Sequence, residues 1–302
     1  MAKSQEICEQ ITDTIIAALE QGVMPWVQSW QGQSVMPRRH CGTRYRGINI
    51  LILWAQAQTQ GFRSPFWMTF KQAQEYGGCV RKGERGTGIV YANRVTHVEA
   101  GENGEDVERS FSFLKGYTVF NADQIDGLPV RFAASMLKPQ QALAWDDYAD
   151  ALAWFEAIPA EVRHGGSQPV YIPSRDRIEL PERDSFRSPI AYLATRAHET
   201  IHWTKHECRL NRSFGQERWG DEGYALEELV AELGAAFTMA ELGHAPEIRE
   251  DHAPYINHWL KVLKRDSRAL LTVAAKASDA LEYLCAVHRS SQSEIAEDRE
   301  AA

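Results

Sequence analysis

Between Ala191 and Thr204 the chain reads as one helix carrying His198, Glu199 and His202 in the order H-E-x-x-H, and no other feature limits the fold as tightly. Ser188 supplies an N-cap oxygen, and Pro189 takes the first helical position, where its missing N–H costs nothing. Histidines four residues apart stand one turn apart on a single face. Both imidazoles then reach one divalent ion, and Glu199 projects beside its open coordination position. The motif therefore asks for a rigid helix packed against a second element that brings the remaining ligand.

A metzincin would continue with glycine at 205 and histidine at 208, but the chain has Lys205 and Cys208. The next helical stretch, Tyr224 to Leu242, sets Glu228 and Glu232 one turn apart among small and apolar neighbours, and carboxylates on such a face need a partner. This resembles the gluzincin arrangement. By that resemblance Glu228 is the third ligand and Glu232 orients a ligand histidine. Glu227 reads as a solvated helix face. His206 falls where the motif helix ends and reads as an exposed or locally bonded side chain.

Two neutral histidines and one carboxylate suit one divalent metal ion, zinc as first choice, with manganese or iron compatible. Such an ion lowers the pKa of water, Glu199 takes the proton and passes it to a leaving amine, and the chemistry is peptide hydrolysis. The extended stretch Val170 to Leu180, with a proline suited to an edge, reads as a substrate-aligning edge strand. Tyr171, Tyr224, His252, Tyr255 and His258 all remain open as a second electrophile.

The N-terminal half has a different character. The net charge of −8 speaks against a generally basic nucleic-acid binder, yet from Met36 to Val95 ten Lys and Arg face two Glu, a local excess of +8. Aromatic rings are interleaved with these charges, a combination suited to phosphates and unpaired bases. The expected contacts to single-stranded DNA are Arg38, Arg39, Arg44, Tyr45, Arg46, Trp67, Lys71, Arg81, Lys82 and Arg85, while Trp54, Phe66 and Phe70 read as core. No helix-turn-helix, zinc-finger or RNP signature supports base-specific duplex reading.

Helices are expected over Ile7–Leu19, Ile48–Gln58 and Thr69–Tyr76. A strand from Gly88 pairs with Phe111–Phe120 around a solvated tip, Glu99–Arg109. The fold class is α+β: an N-terminal α+β single-strand-binding domain over 1–130, then a mainly helical zincin-like domain with a small sheet over 139–290, and a polar, mobile tail over 291–302. Five dispersed cysteines without a C-x-x-C pair, no signal-type leader and no long apolar run lead us to expect a cytoplasmic protein with no membrane association.

Two further sets of residues carry a family resemblance. In the first half they are Gly22, Pro25, Trp26 and Trp30; Tyr45 to Asn49; Trp67 to Gln72; Val80 to Glu84; and Val119 to Asn121 with Gln124. In the second they are Tyr171, Pro173, Asp176 and Ile178; Ala197 to Thr204; and Tyr224 to Glu232. In these the chain resembles the ArdC-type antirestriction proteins of conjugative plasmids. The resemblance implies a single-stranded-DNA-binding domain, also fused to plasmid primases, joined to a metallopeptidase-like domain, and a role in shielding incoming DNA from host restriction endonucleases. Two other functions stay open: a DNA-recruited metalloprotease acting on a restriction enzyme or another DNA-bound protein, and a replication accessory that coats single strands.

Overall fold

The computed structural model describes residues 2–26, 36–100, 106–133, 144–215, 221–245, 253–266 and 268–301. Trp30 and His252 of the sequence reading lie outside them. The chain divides into two compact units, residues 1–14 with 37–135, and residues 15–36 with 136–302. The contiguous 1–130 and 139–290 of the sequence expectation thus differ from this division at residues 15–36. These turn buried Ile15, Leu19, Met24 and Trp26 into the second unit, where the Trp26 ring meets Trp259 edge-on at 6.0 Å.

The helix α1 (Ala2–Glu20) opens the chain. In the first unit follow β1 (Arg38–Arg39), α2 (Ile48–Gln60), β2 (Phe66–Met68), α3 (Phe70–Glu75), β3 (Cys79–Val80), β4 (Thr87–Ala100), β5 (Asp106–Asn121) and β6 (Ile125–Asp126). The main sheet has the order β1-β2-β5-β4, with β1 parallel to β2 and the remaining pairs antiparallel, while β3 and β6 form a separate ribbon. Thr69 and Gln72 make a reciprocal capping box that starts α3, and Gly61, at φ 72°, ends α2 in the left-handed conformation glycine adopts without strain. Met68, Ala73, Ala122, Ile125 and Phe132 form one buried cluster of this unit. The β4–β5 pairing continues as far as Ala100 opposite Asp106, so the solvated tip expected over Glu99–Arg109 is narrower than the sequence suggested.

The second unit adds α4 (Ala149–Glu156), β7 (Glu161–His164), β8 (Val170–Ile172), β9 (Arg177–Leu180), α5 (Pro189–Trp203), α6 (Glu222–Glu241), α7 (Ala253–Arg265) and α8 (Ala269–Ala301). Its sheet has the order β7-β9-β8. The single extended segment expected over 170–180 is in fact a hairpin, because Pro173 starts a tight turn that Asp176 closes at φ 46°. β7 and β8 are its two edge strands, and β8 and β9 both pack on α5. The expected mobile tail is helical to Ala301: its Ala, Glu, Ser and Arg residues permit a helix, and Ser291 Oγ donates to Ala157 O at 3.0 Å. Among the described residues no helix is long and apolar enough to cross a membrane.

Candidate metal centre

Helix α5 begins as its sequence requires, with Ser188 Oγ accepting from Ala191 N and Pro189 in the first turn. His198, Glu199 and His202 are all buried, and both histidines meet glutamates of α6. The two Nε2 atoms stand 3.1 Å apart, and Glu228 brings Oε2 to 3.5 Å from His198 Nε2 and Oε1 to 3.4 Å from His202 Nε2. The three residues offer ligand atoms within 4.8 Å of one another. Two ligand atoms about 2.0–2.1 Å from a tetrahedral ion lie about 3.3 Å apart, so the donor set fits a divalent ion in both spacing and chemistry.

The remaining ring nitrogens are held by carboxylates. His198 Nδ1 lies 3.0 Å from Glu232 Oε1, off the ideal hydrogen-bond axis, and this is the position the gluzincin resemblance gave Glu232. His202 Nδ1 lies 3.1 Å from Glu227 Oε1. The expectation of a solvated Glu227 is therefore wrong. The residue is 1% exposed, and Arg212, itself buried, grips it with Nε to Oε2 at 2.8 Å and Nη2 to Oε1 at 2.8 Å. Arg212 is fixed in turn by Ile201 O at 3.0 Å and Thr204 Oγ1 at 3.1 Å. A partner search for His202 Nδ1 is the signal that could have found Glu227, since each ligand imidazole needs an acceptor behind it. Arg212 leaves no such trace in the sequence.

The electrostatics follow from this burial. Burial alone would lower the His202 pKa, but the Glu228 charge and the hydrogen bonds that His202 donates to Glu227 and Glu228 raise it to about 10. Burial opposes ionisation of Glu227, yet the Arg212 and His202 bonds bring it down to about 2, and Glu228 is held down by the two histidines. Buried carboxylates stay charged here because each has a cationic or ligand partner.

Of the open electrophiles, Tyr171 is engaged elsewhere: its hydroxyl donates to Asp176 Oδ1 at 2.9 Å and accepts from Arg209 Nη2 at 3.3 Å. Tyr224 sits one turn before Glu228, 3.2 Å from the Tyr255 hydroxyl, and its pKa is raised by burial and then by the Glu228 charge. His258 is exposed. His206 lies beyond the end of α5, and its Nδ1 accepts locally from Cys208 N.

The expected DNA contacts separate by exposure. Arg39, Arg46, Lys71, Lys82 and Arg85 are exposed, and Arg38 and Arg44 are half-buried. Tyr45 and Trp67 are corrected from contacts to core: both are buried, and the Tyr45 hydroxyl donates to Trp67 O at 3.3 Å. Arg81 is exposed but bound to its own fold, by Glu84 at 2.9 Å, Asp126 at 3.2 Å and Asp123 O. Gln124 ties the same loop down through Glu84 Oε2 and Arg85 O. Phe70, expected in the core, is about half-exposed at the start of α3, with its ring edge-on to that of Phe120.

Comparison with known proteins adds three findings. Residues 5–120 match the family model for the N-terminal domain of anti-restriction factor ArdC, and residues 149–276 match that for zincin-like metallopeptidases. Protein y4eC of Sinorhizobium fredii is 35% identical over 95% of this chain and 94% of its own, while a DNA primase TraC of Escherichia coli is 36% identical over 92% of this chain but only 27% of its own length. The crystal structure of antirestriction protein ArdC from plasmid R388 superposes with a TM-score of 0.78 in its metal-free form, at 38% identity over 94% of this chain and 98% of that one, and its Mn(II)-bound form superposes with a TM-score of 0.73.

Proposed function

The chain belongs to the ArdC antirestriction family, and from that premise we propose that it binds single-stranded DNA through its first unit and protects incoming conjugative plasmid DNA from host restriction endonucleases. The second unit holds one divalent ion between His198, His202 and Glu228, with zinc our first assignment and manganese the alternative. The carrying observation is the convergence of two Nε2 atoms and one carboxylate, with a carboxylate behind each imidazole.

A bound ion supplies Lewis acidity that polarises a carbonyl and acidifies water. The protein's own groups do the rest. Glu199 is the general base and then the acid for the leaving amine. Glu232 and Glu227 fix the imidazoles so that their Nε2 lone pairs face the site. Tyr224 donates its hydroxyl to the developing oxyanion, and β8 is the edge along which an extended peptide aligns. In the first unit Arg39, Arg46, Lys71, Lys82 and Arg85 contact phosphates.

The test is transfer of an unmodified plasmid into a restricting host carrying the chain or its Glu199→Gln variant, alongside binding of labelled oligonucleotides. Protection with single-strand preference is the expected result, and equal survival with and without the protein would overturn the antirestriction reading. A second reading, a protease recruited to DNA-bound proteins, draws on one observation. Structural zinc sites have four protein ligands, whereas among the described residues three, His198, His202 and Glu228, offer their ligand atoms to one ion. Protection lost in a folded, metal-loaded Glu199→Gln variant would favour it.

A further inference from the structure

With Tyr45 and Trp67 buried, a base-stacking surface on the first unit has to come from other rings. Among its described residues, Phe70, Tyr91 and Tyr117 are the large aromatic side chains left in solvent. Two of these lie on the β4–β5 pair, whose register sets Tyr91 opposite Lys115 and Ile89 opposite Tyr117. Residues directly opposed share a face, so Tyr91, Lys115 and Tyr117 project together. The tyrosines meet edge to face with centroids 6.1 Å apart, and the Lys115 ammonium stands 5.2 Å from the Tyr117 centroid.

On this same face Thr87, Ile89 and Val119 are buried. Two residues further along, Tyr91 is 42% and Tyr117 39% exposed, so the strand pair leaves the core here and carries its rings into water. A solvent face of an antiparallel pair needs only polar side chains. In an edge-to-face pair the ring that presents its edge keeps both faces open, and a flanking ammonium suits a phosphate. Arg85, exposed in the basic loop, lies six residues before Tyr91, within about 20 Å even along fully extended chain.

We propose that Tyr91, Lys115 and Tyr117 form a platform on which unpaired bases of single-stranded DNA stack, with Lys115 on the adjoining phosphate. This rests on the reading of the first unit as a single-strand binder and goes past it by naming the surface. Stacking on a ring tolerates any base, which fits a chain without a base-reading signature.

The test is titration of a labelled oligothymidylate with the full chain, its Tyr91→Ser/Tyr117→Ser variant, the corresponding Phe pair and Lys115→Ala, each checked for fold by circular dichroism. Loss of two stacked bases weakens binding on the order of 100-fold in the Ser pair without altering the salt slope, and the Phe pair binds like the parent. Lys115→Ala lowers the slope of log affinity against log salt by about 0.7. A folded Ser pair that binds as tightly as the parent would overturn the platform while leaving single-strand binding intact, whereas a parent chain that binds no single strand overturns both. If the Ser pair does not fold, photo-cross-linking of the parent to 5-iodouracil-substituted DNA decides. Cross-links on Tyr91 or Tyr117 are expected, and cross-links solely elsewhere refute the platform.

Discussion

Replacing Glu227 by Leu distinguishes a helix-surface glutamate from a buried one that carries the metal site. The side chain is 1% exposed and receives two bonds from Arg212, which is itself buried. Removing one member of a buried ion pair leaves the other uncompensated, at a cost of about 3–5 kcal/mol. Arg212 keeps its bonds to Ile201 O and Thr204 Oγ1, which places the loss at the lower end, about 3 kcal/mol. In a unit of this size that lowers the melting temperature of the metal-free protein by about 6–12 °C. His202 also loses the acceptor behind Nδ1, so metal affinity falls about 10- to 100-fold. Adding Arg212→Met removes the stranded charge and recovers most of the stability, but not the metal affinity. Thermal denaturation and competition against a chromophoric chelator read the two effects separately. If Glu227→Leu changes stability by less than about 0.5 kcal/mol and leaves chelator competition unaltered, the arrangement of Arg212, Glu227 and His202 described here is wrong.

Metal uptake should release close to one proton at neutral pH. His202 in the metal-free site titrates near pH 10, and only its neutral form ligates, so affinity rises with pH up to that value; calorimetry in buffers of different ionisation enthalpy counts the proton. In the metal-free protein the raised pKa has the opposite consequence: its stabilising contribution is full below pH 6.5 and is lost as pH rises towards 10, so chemical denaturation with and without metal should diverge over that window. Glu199→Gln should keep metal content and melting temperature while abolishing any peptide cleavage, measured on a panel of DNA-associated proteins. Gly234→Ala should destabilise by about 1–2 kcal/mol despite better helix propensity, because an added Cβ meets Cδ1, Cγ1 and Cγ2 of Ile201 at 2.9 Å; Ile201→Ala removes all three atoms, so in urea denaturation the double variant should lose less than the sum of the single losses. Lys82→Ala with Arg85→Ala should flatten the salt dependence of single-strand binding, whereas Arg81→Ala, bonded to Glu84 and Asp126, should leave that slope unchanged.

The parts legible in the sequence are those where local chemistry decides the outcome. Ser188 and Pro189 set the start of α5, Thr69 and Gln72 that of α3, and four-residue spacing aligned the histidines. What was not legible depends on partners distant in the chain. Tyr45 and Trp67 lie among arginines in the sequence, yet the pairing of β2 with β5 buries the tryptophan, and the tyrosine hydroxyl bonds its carbonyl. Tyr117 lies outside the basic window and becomes a candidate because strand register sets it beside Tyr91. Composition could locate the charged half of the chain, but not say which of its rings reach water.

The same distinction explains why one of two adjacent glutamates was misread. Periodicity alone separates a helix into an inner and an outer face, and a charge at 227 is assigned outward by default. Helix α6, however, is buried almost all round over Glu227–Ala240, so it has no outer face to give. Glu227, Ala231 and Gly234 recur at i, i+4 and i+7 along one stripe, and Gly234 permits the close approach of Ile201 on α5. That approach, one residue before His202, brings the α6 backbone near enough for Glu227 to reach Nδ1 while Glu228, turned about 100° around the axis, reaches both Nε2 atoms. Small residues on α6 thus set the helix separation, and the helix separation sets the ligand spacing. A metal centre whose third ligand comes from a second helix therefore depends on a glycine six residues beyond that ligand as well as on its own carboxylates.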